Sequence, residues 1–117
     1  MKRHTVCELD DIPDGTMKAM DVGGRGVLLV RHGQQVLAVR DICPHQGARL
    51  SEGVLTGARV SAAVGDYRLT KTGQVVRCPW HNWEYDVADG RCLDPSVRLR
   101  VATYVVEIED GQVVVIM

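Results

Sequence analysis

Short apolar runs, broken at close intervals by glycine, aspartate or proline, set the pattern of this chain. Where the runs alternate they do so with a period of two, which argues for strands rather than helices. "TVCEL" predicts a first strand, followed by the turn-rich "DDIPDG". "TMKAMDV" alternates and then meets Gly23-Gly24, which opens the turn "GGRG". "GVLLVR" and "QVLAVR" flank His32-Gly33, so residues 27–40 predict a hairpin whose second arm leads straight to Cys43. "SEGVLTGARVSAAVGD" is small, polar and punctuated by glycine, and reads mostly as loop. "YRLTKTGQVVR" predicts a hairpin turning at Thr72-Gly73 and delivering the chain to Cys78. "EYDV", "ADG" and "RCLD" predict another, and "RLRVATYVVEIED", Gly111 and "QVVVIM" the last. No heptads or internal repeats occur, and the only helix expected is a short turn within residues 46–60. The pattern is that of a single all-β domain.

Composition narrows the function classes. A chain of 117 residues, 45% of them apolar, suits one domain with one modest core. Its formal net charge of −1 leaves no basic excess to neutralise phosphates, so nucleic acid is not an expected partner. The start, "MKRHTVCELDD", has a basic end but no apolar run, and is not expected to be a signal peptide. No stretch approaches the ~20 apolar residues of a membrane span. The expectation is a cytoplasmic protein without a membrane partner, its cysteines kept reduced. The rival, two disulfides among four cysteines in one of three connectivities, would need an exported chain.

Candidate chemistry lies in two Cys-Pro pairs with a histidine close behind each: Cys43-Pro44-His45 and Cys78-Pro79-Trp80-His81. Thiolate and imidazole are both good ligands for soft and borderline metals. Cys7 and Cys92 read as ordinary core or surface cysteines, and His4 and His32 as solvated side chains. Two thiolates and two imidazoles suit a tetrahedral zinc site. However, each short loop supplies one of each, and that grouping suits two metals better than one. In a mixed-ligand [2Fe–2S] cluster two cysteines bind one iron and two histidines the other.

On these motifs, "CPH" at 43–45 and "CPWH" at 78–81, the chain resembles the Rieske-type [2Fe–2S] proteins, and more narrowly the ferredoxins of ring-hydroxylating dioxygenases. "QGARLSEG" and "WEYDVADGRCLDP" support the likeness, which spans nearly the whole chain. The resemblance implies the Rieske fold: stacked antiparallel sheets, with a cluster-binding subdomain at about 43–85 set into a base of about 1–42 and 86–117. It implies one [2Fe–2S] cluster, with Cys43 and Cys78 on one iron and His45 and His81 on the other through Nδ1. It also places Pro95 in a loop closing over the cluster.

The departures are informative. The stretch between His45 and Cys78 is longer than in most relatives, and residues 57–75 are expected to form an added hairpin beside the cluster. Asn82 stands where many relatives have glycine. Ala48 and Trp80 stand where the high-potential branch has a disulfide, and Trp83 where that branch has a serine that bonds a sulfide. Tyr85 matches a tyrosine that bonds a cysteine sulfur. Fewer donors to sulfur imply a potential in the lower part of the Rieske range of about −150 to +300 mV. Trp80 and Trp83 are expected to cover the cluster or pack beneath it. Arg40, Arg49 and Arg77 flank the loops, either to receive an acidic partner or simply to be solvated.

The implied function is a one-electron carrier between a flavin-dependent reductase and a terminal oxygenase, not an enzyme. An oxygenating mononuclear iron needs two histidines and a carboxylate in a catalytic domain of its own; only His4 and His32 remain, and 117 residues are not expected to hold a second domain. Two other readings stand beside it: a small subunit or redox sensor of a non-oxygenase enzyme such as a nitrite reductase or a hydrolase, and a structural zinc domain.

Overall fold

The computed structural model describes residues 1–45, 47–63, 66–80, 83–94 and 96–117, with 57–63 and 66–72 described by their backbone alone. Among the described residues nine strands form two antiparallel sheets. The larger has the order β1 (Arg3–Glu8), β9 (Gln112–Ile116), β8 (Thr103–Glu109), β4 (Gln35–Arg40), β3 (Arg25–His32), β2 (Met17–Val22). The smaller holds β5 (Val54–Ala63), β6 (Asp66–Arg77) and β7 (Glu84–Asp86). Among the described residues no helix is long and apolar enough to cross a membrane. Helical structure there is limited to single 3-10 turns at Leu9–Asp11 and Leu50–Glu52.

Strand β3 explains the architecture. Val27, Leu28, Leu29 and Val30 are all fully buried, which only a strand covered on both faces permits. Successive side chains point to opposite faces. Leu28 and Val30 join a core with Val39, Leu50, Val76, Tyr85, Val87 and the two cysteines Cys43 and Cys78. Val27 and Leu29 join a second core with Ile12, Val22, Val36, Ala38, Val113 and Val115. The second core fills the larger sheet, which curls until its edge strands β1 and β2 approach each other. The first lies between the sheets. Each valine, leucine or isoleucine among them contributes about 1.5–3 kcal/mol by burial.

Turn chemistry follows the sequence closely in the larger sheet. Gly23 and Gly24, at φ 59° and 84°, close the β2–β3 hairpin between the paired Val22 and Arg25. The β3–β4 turn falls at Gly33-Gln34, one residue beyond the expected His32-Gly33. The expected hairpin after "EYDV" shrinks to one bridge between Tyr85 and Cys92, with the Asp86 N–H donating to the Arg91 carbonyl at 2.9 Å.

Two expectations between His45 and Cys78 are corrected. Residues 54–63, read as loop, form strand β5. Residues 66–77, read as a hairpin turning at Thr72-Gly73, form the single strand β6, which pairs with β5 along its length. The glycines mark an irregularity, not a turn. Thr56 pairs with Val75 and Ala58 with Thr70, so residues 71–74 slip out of register opposite Gly57. Gly73, at φ 78°, accommodates that slip. The arms of the expected added hairpin are the far part of β5–β6, and residues 64–65 between them lie outside the described residues.

Gly90 is held by two constraints at once. Its φ is 77°, and a Cβ there would lie 2.1 Å from the Val101 carbonyl oxygen. Gly24, at φ 84°, has open space where its Cβ would be. Gly90→Ala is expected to cost about 2–4 kcal/mol, combining overpacking with left-handed strain. Gly24→Ala is expected to cost about 1–2 kcal/mol through strain alone. Scanning calorimetry of the two variants checks the order: a Gly90→Ala melting temperature at or above that of Gly24→Ala would refute it.

Candidate metal centre

The two Cys-Pro loops leave the framework at equivalent places. Loop 43–48 follows β4, and loop 78–83 joins β6 to β7. Each is closed by the same bond. The Cys43 N–H donates to the Ala48 carbonyl at 2.7 Å, and the Cys78 N–H donates to the Trp83 carbonyl at 2.7 Å. In the first loop the Gly47 N–H also donates to the Cys43 carbonyl at 2.8 Å, with Gly47 at φ 76°. Pro44 and Pro79 have no N–H and fix φ, so they stiffen these turns without competing for acceptors. The sequence repeats Cys-Pro, and the backbone repeats the closing bond.

Both thiols are sunk into the core at 1% exposure, whereas His45 is exposed. The structure therefore places three of the four expected ligands on two like loops: two sulfurs inside and one imidazole at the surface. His81, Asn82, Gln46 and Pro95 lie outside the described residues. Cys7 and Cys92 are free thiols and only half-buried. The donor set, two buried sulfurs with imidazole at the rim, fits a mixed-ligand cluster that is sulfur-bound within and histidine-bound without.

Tyr85 reaches the first sulfur. Its side chain is 1% exposed, and its hydroxyl oxygen lies 3.4 Å from Cys43 Sγ. Burial, then the bond to Cys43, pushes the phenol pKa well above its ordinary value. The phenol stays protonated, so toward a cysteine thiolate it is the donor. Trp83 stacks on His45, with ring centroids 3.9 Å apart and planes at 18°. Trp83 is half-buried against that ring, while Trp80 is 59% exposed.

The bases of the loops are fastened differently. The second rests on strand pairing, with Arg77 opposite Glu84, Val76 opposite Tyr85, and an Arg77–Glu84 ion pair at 3.7 Å. The first has Ala48 and Leu50 buried in the core and is gathered around the side chain of Asp41, 1% exposed. Its carboxylate accepts the Ser51 N–H at 2.7 Å, the Ser51 hydroxyl at 2.6 Å, and Arg49 Nη2 at 3.3 Å. The Asp41 N–H donates to the Gly26 carbonyl at 2.9 Å. A buried carboxylate is tolerated only with such a set of donors. Sequence reading missed Asp41 and Ser51; the available signal was a lone acid where an apolar strand runs into a ligand loop. Arg49 and Arg77, read as receptors for an acidic partner or as solvated side chains, lie beside Asp41 and Glu84 of this chain, at 3.3 Å and 3.7 Å. His4, expected to be solvated, is half-buried beside Gly23; His32 is exposed as expected.

Comparisons with known proteins agree with this geometry. The family model of the Rieske [2Fe-2S] domain matches residues 2–105. The chain is 33% identical over 110 residues to the ferredoxin component of an alkene monooxygenase system from Xanthobacter autotrophicus, covering 94% of this chain and 77% of that protein. It superposes on the ferredoxin of carbazole 1,9a-dioxygenase from Nocardioides aromaticivorans with a TM-score of 0.79 at 27% identity, covering 98% and 97% of the two chains. A complex of reduced oxygenase and oxidised ferredoxin in carbazole 1,9a-dioxygenase contains a match with a TM-score of 0.74 at 28% identity, covering 97% and 91%. The chain belongs to the Rieske [2Fe–2S] family, carries one [2Fe–2S] cluster, and is an electron-transfer component and not itself a catalyst.

Proposed function

We propose that Cys43 and Cys78 hold one iron of the cluster, that His45 and His81 hold the other, and that the chain shuttles single electrons in the cytoplasm from a flavin-dependent reductase to a terminal oxygenase. The observation that carries this reading is the pair of matching loops, which bury both sulfurs and leave His45 exposed. The oxygenase partner is supported by the relatives, one a ferredoxin component of a monooxygenase system and one matched within an oxygenase complex. In this reading residues 43–85 are the cluster-binding subdomain, and residues 1–42 and 86–117 its base.

When bound, the cluster takes up and releases one electron. The chain supplies the surroundings. The buried sulfurs sit in an apolar core that excludes water. The Tyr85 hydroxyl donates to Cys43 Sγ and so favours added negative charge. Trp83, at the place of the serine in the high-potential branch, offers a ring to His45 and no hydroxyl to a sulfide. That combination supports a potential in the lower part of the Rieske range. His45 gives the buried site an exposed edge through which an electron can pass. Reducing conditions in the cytoplasm keep Cys7 and Cys92 as thiols.

Metal analysis tests the carrier reading directly. Protein made with ample iron and sulfide is expected to be red-brown, with about two iron and two labile sulfides per chain. Reduction is expected to give the rhombic EPR signal of a cluster with mixed cysteine and histidine ligation. Stoichiometric zinc in place of iron would refute it and favour the structural zinc domain.

Ligand variants test the residues. Cys43→Ser and His81→Ala are expected to lose the intact cluster, and Cys7→Ser and Cys92→Ser to keep it. Bleaching by Cys92→Ser but not by Cys78→Ser, read from the visible spectrum, would overturn the assignment.

Tyr85→Phe removes one donor and keeps the ring. A hydrogen bond of about 0.5–1.5 kcal/mol corresponds to roughly 20–65 mV for one electron. Protein-film voltammetry is expected to show a potential lower by that amount. An unchanged or raised potential would show that the hydroxyl does not act on the sulfur.

A further inference from the structure

Beside the loops lies a groove that the ligand assignment does not use. A cavity of about 650 Å³ opens over the segment after β7, walled by Arg91, Arg98, Leu99 and Arg100. A smaller one of about 160 Å³, walled by Trp83, shares Cys92, Leu93 and Val97 with it. The two cavities thus share a wall, the larger lined by the arginines and the smaller by Trp83, whose ring stacks on His45.

The charges along this groove are unbalanced in a particular way. Arg91 and Arg100 sit directly opposite each other in an antiparallel bridge. Like charges so placed destabilise a sheet. Arg91, Arg98 and Arg100 are all exposed, and Leu99 between the last two is 37% exposed. The nearby acids are largely engaged. Asp86 is buried and accepts the Ala88 N–H; Glu84 pairs with Arg77; Asp94 accepts both the N–H and the hydroxyl of Ser96. Asp89 lies 4.0 Å from Arg91, both side chains being at least half exposed, and such a pair is worth little. In a chain of net charge −1, three guanidiniums on one groove wall are a local feature. Guanidinium forks suit carboxylates, and an apolar floor of Leu93, Val97 and Leu99 suits the backbone and side-chain stems of a bound segment.

We propose that this groove is a docking surface for an acidic segment of the protein redox partner. Carboxylates of that segment relieve the Arg91–Arg100 repulsion, steer the encounter, and seat the partner against the exposed His45 edge. The proposal rests on the electron-carrier reading above.

The test uses the cluster-loaded protein and a fluorescently labelled deca-glutamate peptide, followed by anisotropy at low ionic strength. The peptide is expected to bind the wild type and to weaken between ~10 mM and ~150 mM salt, as the Debye length falls from about 30 to about 8 Å. In Arg98→Glu/Arg100→Glu the affinity is expected to drop at least about tenfold. The visible spectrum and midpoint potential of that variant are expected to stay unchanged; a wild type without a cluster would instead sink the carrier reading itself. Equal affinity of variant and wild type would overturn the proposal, as would a deca-lysine peptide binding as well as deca-glutamate. Inorganic phosphate binding as tightly as the peptide would make the groove a small-anion site and overturn it too.

Discussion

Burial of β3 on both faces is the constraint from which the rest follows. A strand with water on one side could not carry four consecutive apolar residues from Val27 to Val30. Because they alternate, the strand serves two cores at once and becomes the wall between them. One core closes the curled sheet. The other faces the ligand loops, and its members include Cys43, Cys78 and Tyr85. The stiffness of the sheet is thereby passed to the sulfurs through Leu28, Val30 and Val39. A rigid support of this kind is what holds ligands within a few tenths of an ångström of where a metal needs them.

Much of this was legible in the sequence because the relevant signals are local. Alternation in β2, the apolar run in β3 and the glycine pairs at turns each depend on a few adjacent residues. The same is true of Cys-Pro-x-His and Cys-Pro-His, whose spacing is itself the chemistry. Strand β5 was not legible. "LTGARVSAA" has the small residues and glycine of a loop, and it is a strand because β6 offers it a ladder of partners. The break expected at Thr72-Gly73 fails for the same reason, since a left-handed glycine can serve a bulge as well as a turn.

In the site, the ligand candidates could be read but their support could not. Asp41 looks like any polar residue at a strand end until Ser51 and Arg49 are seen around its carboxylate. Trp80 and Trp83 look alike in "CPWHNW", yet one is open to solvent and the other lies on an imidazole. Arg49 and Arg77 look like unpaired charges on the rim, and each has an acid of the same chain beside it. Burial and partner choice are properties of the assembled chain, and residue type alone decides neither.

The unequal footings of the two loops have a consequence for how the protein comes apart. A ladder of strand pairs releases only as part of a larger cooperative unit, whereas a few bonds converging on one carboxylate can open as a small local event. The approach to Cys43 thus hangs on the ionised carboxylate of Asp41, whereas the approach to Cys78 hangs on backbone pairing that no single side chain supplies. One substitution can reach the footing of the first sulfur and leave that of the second in place.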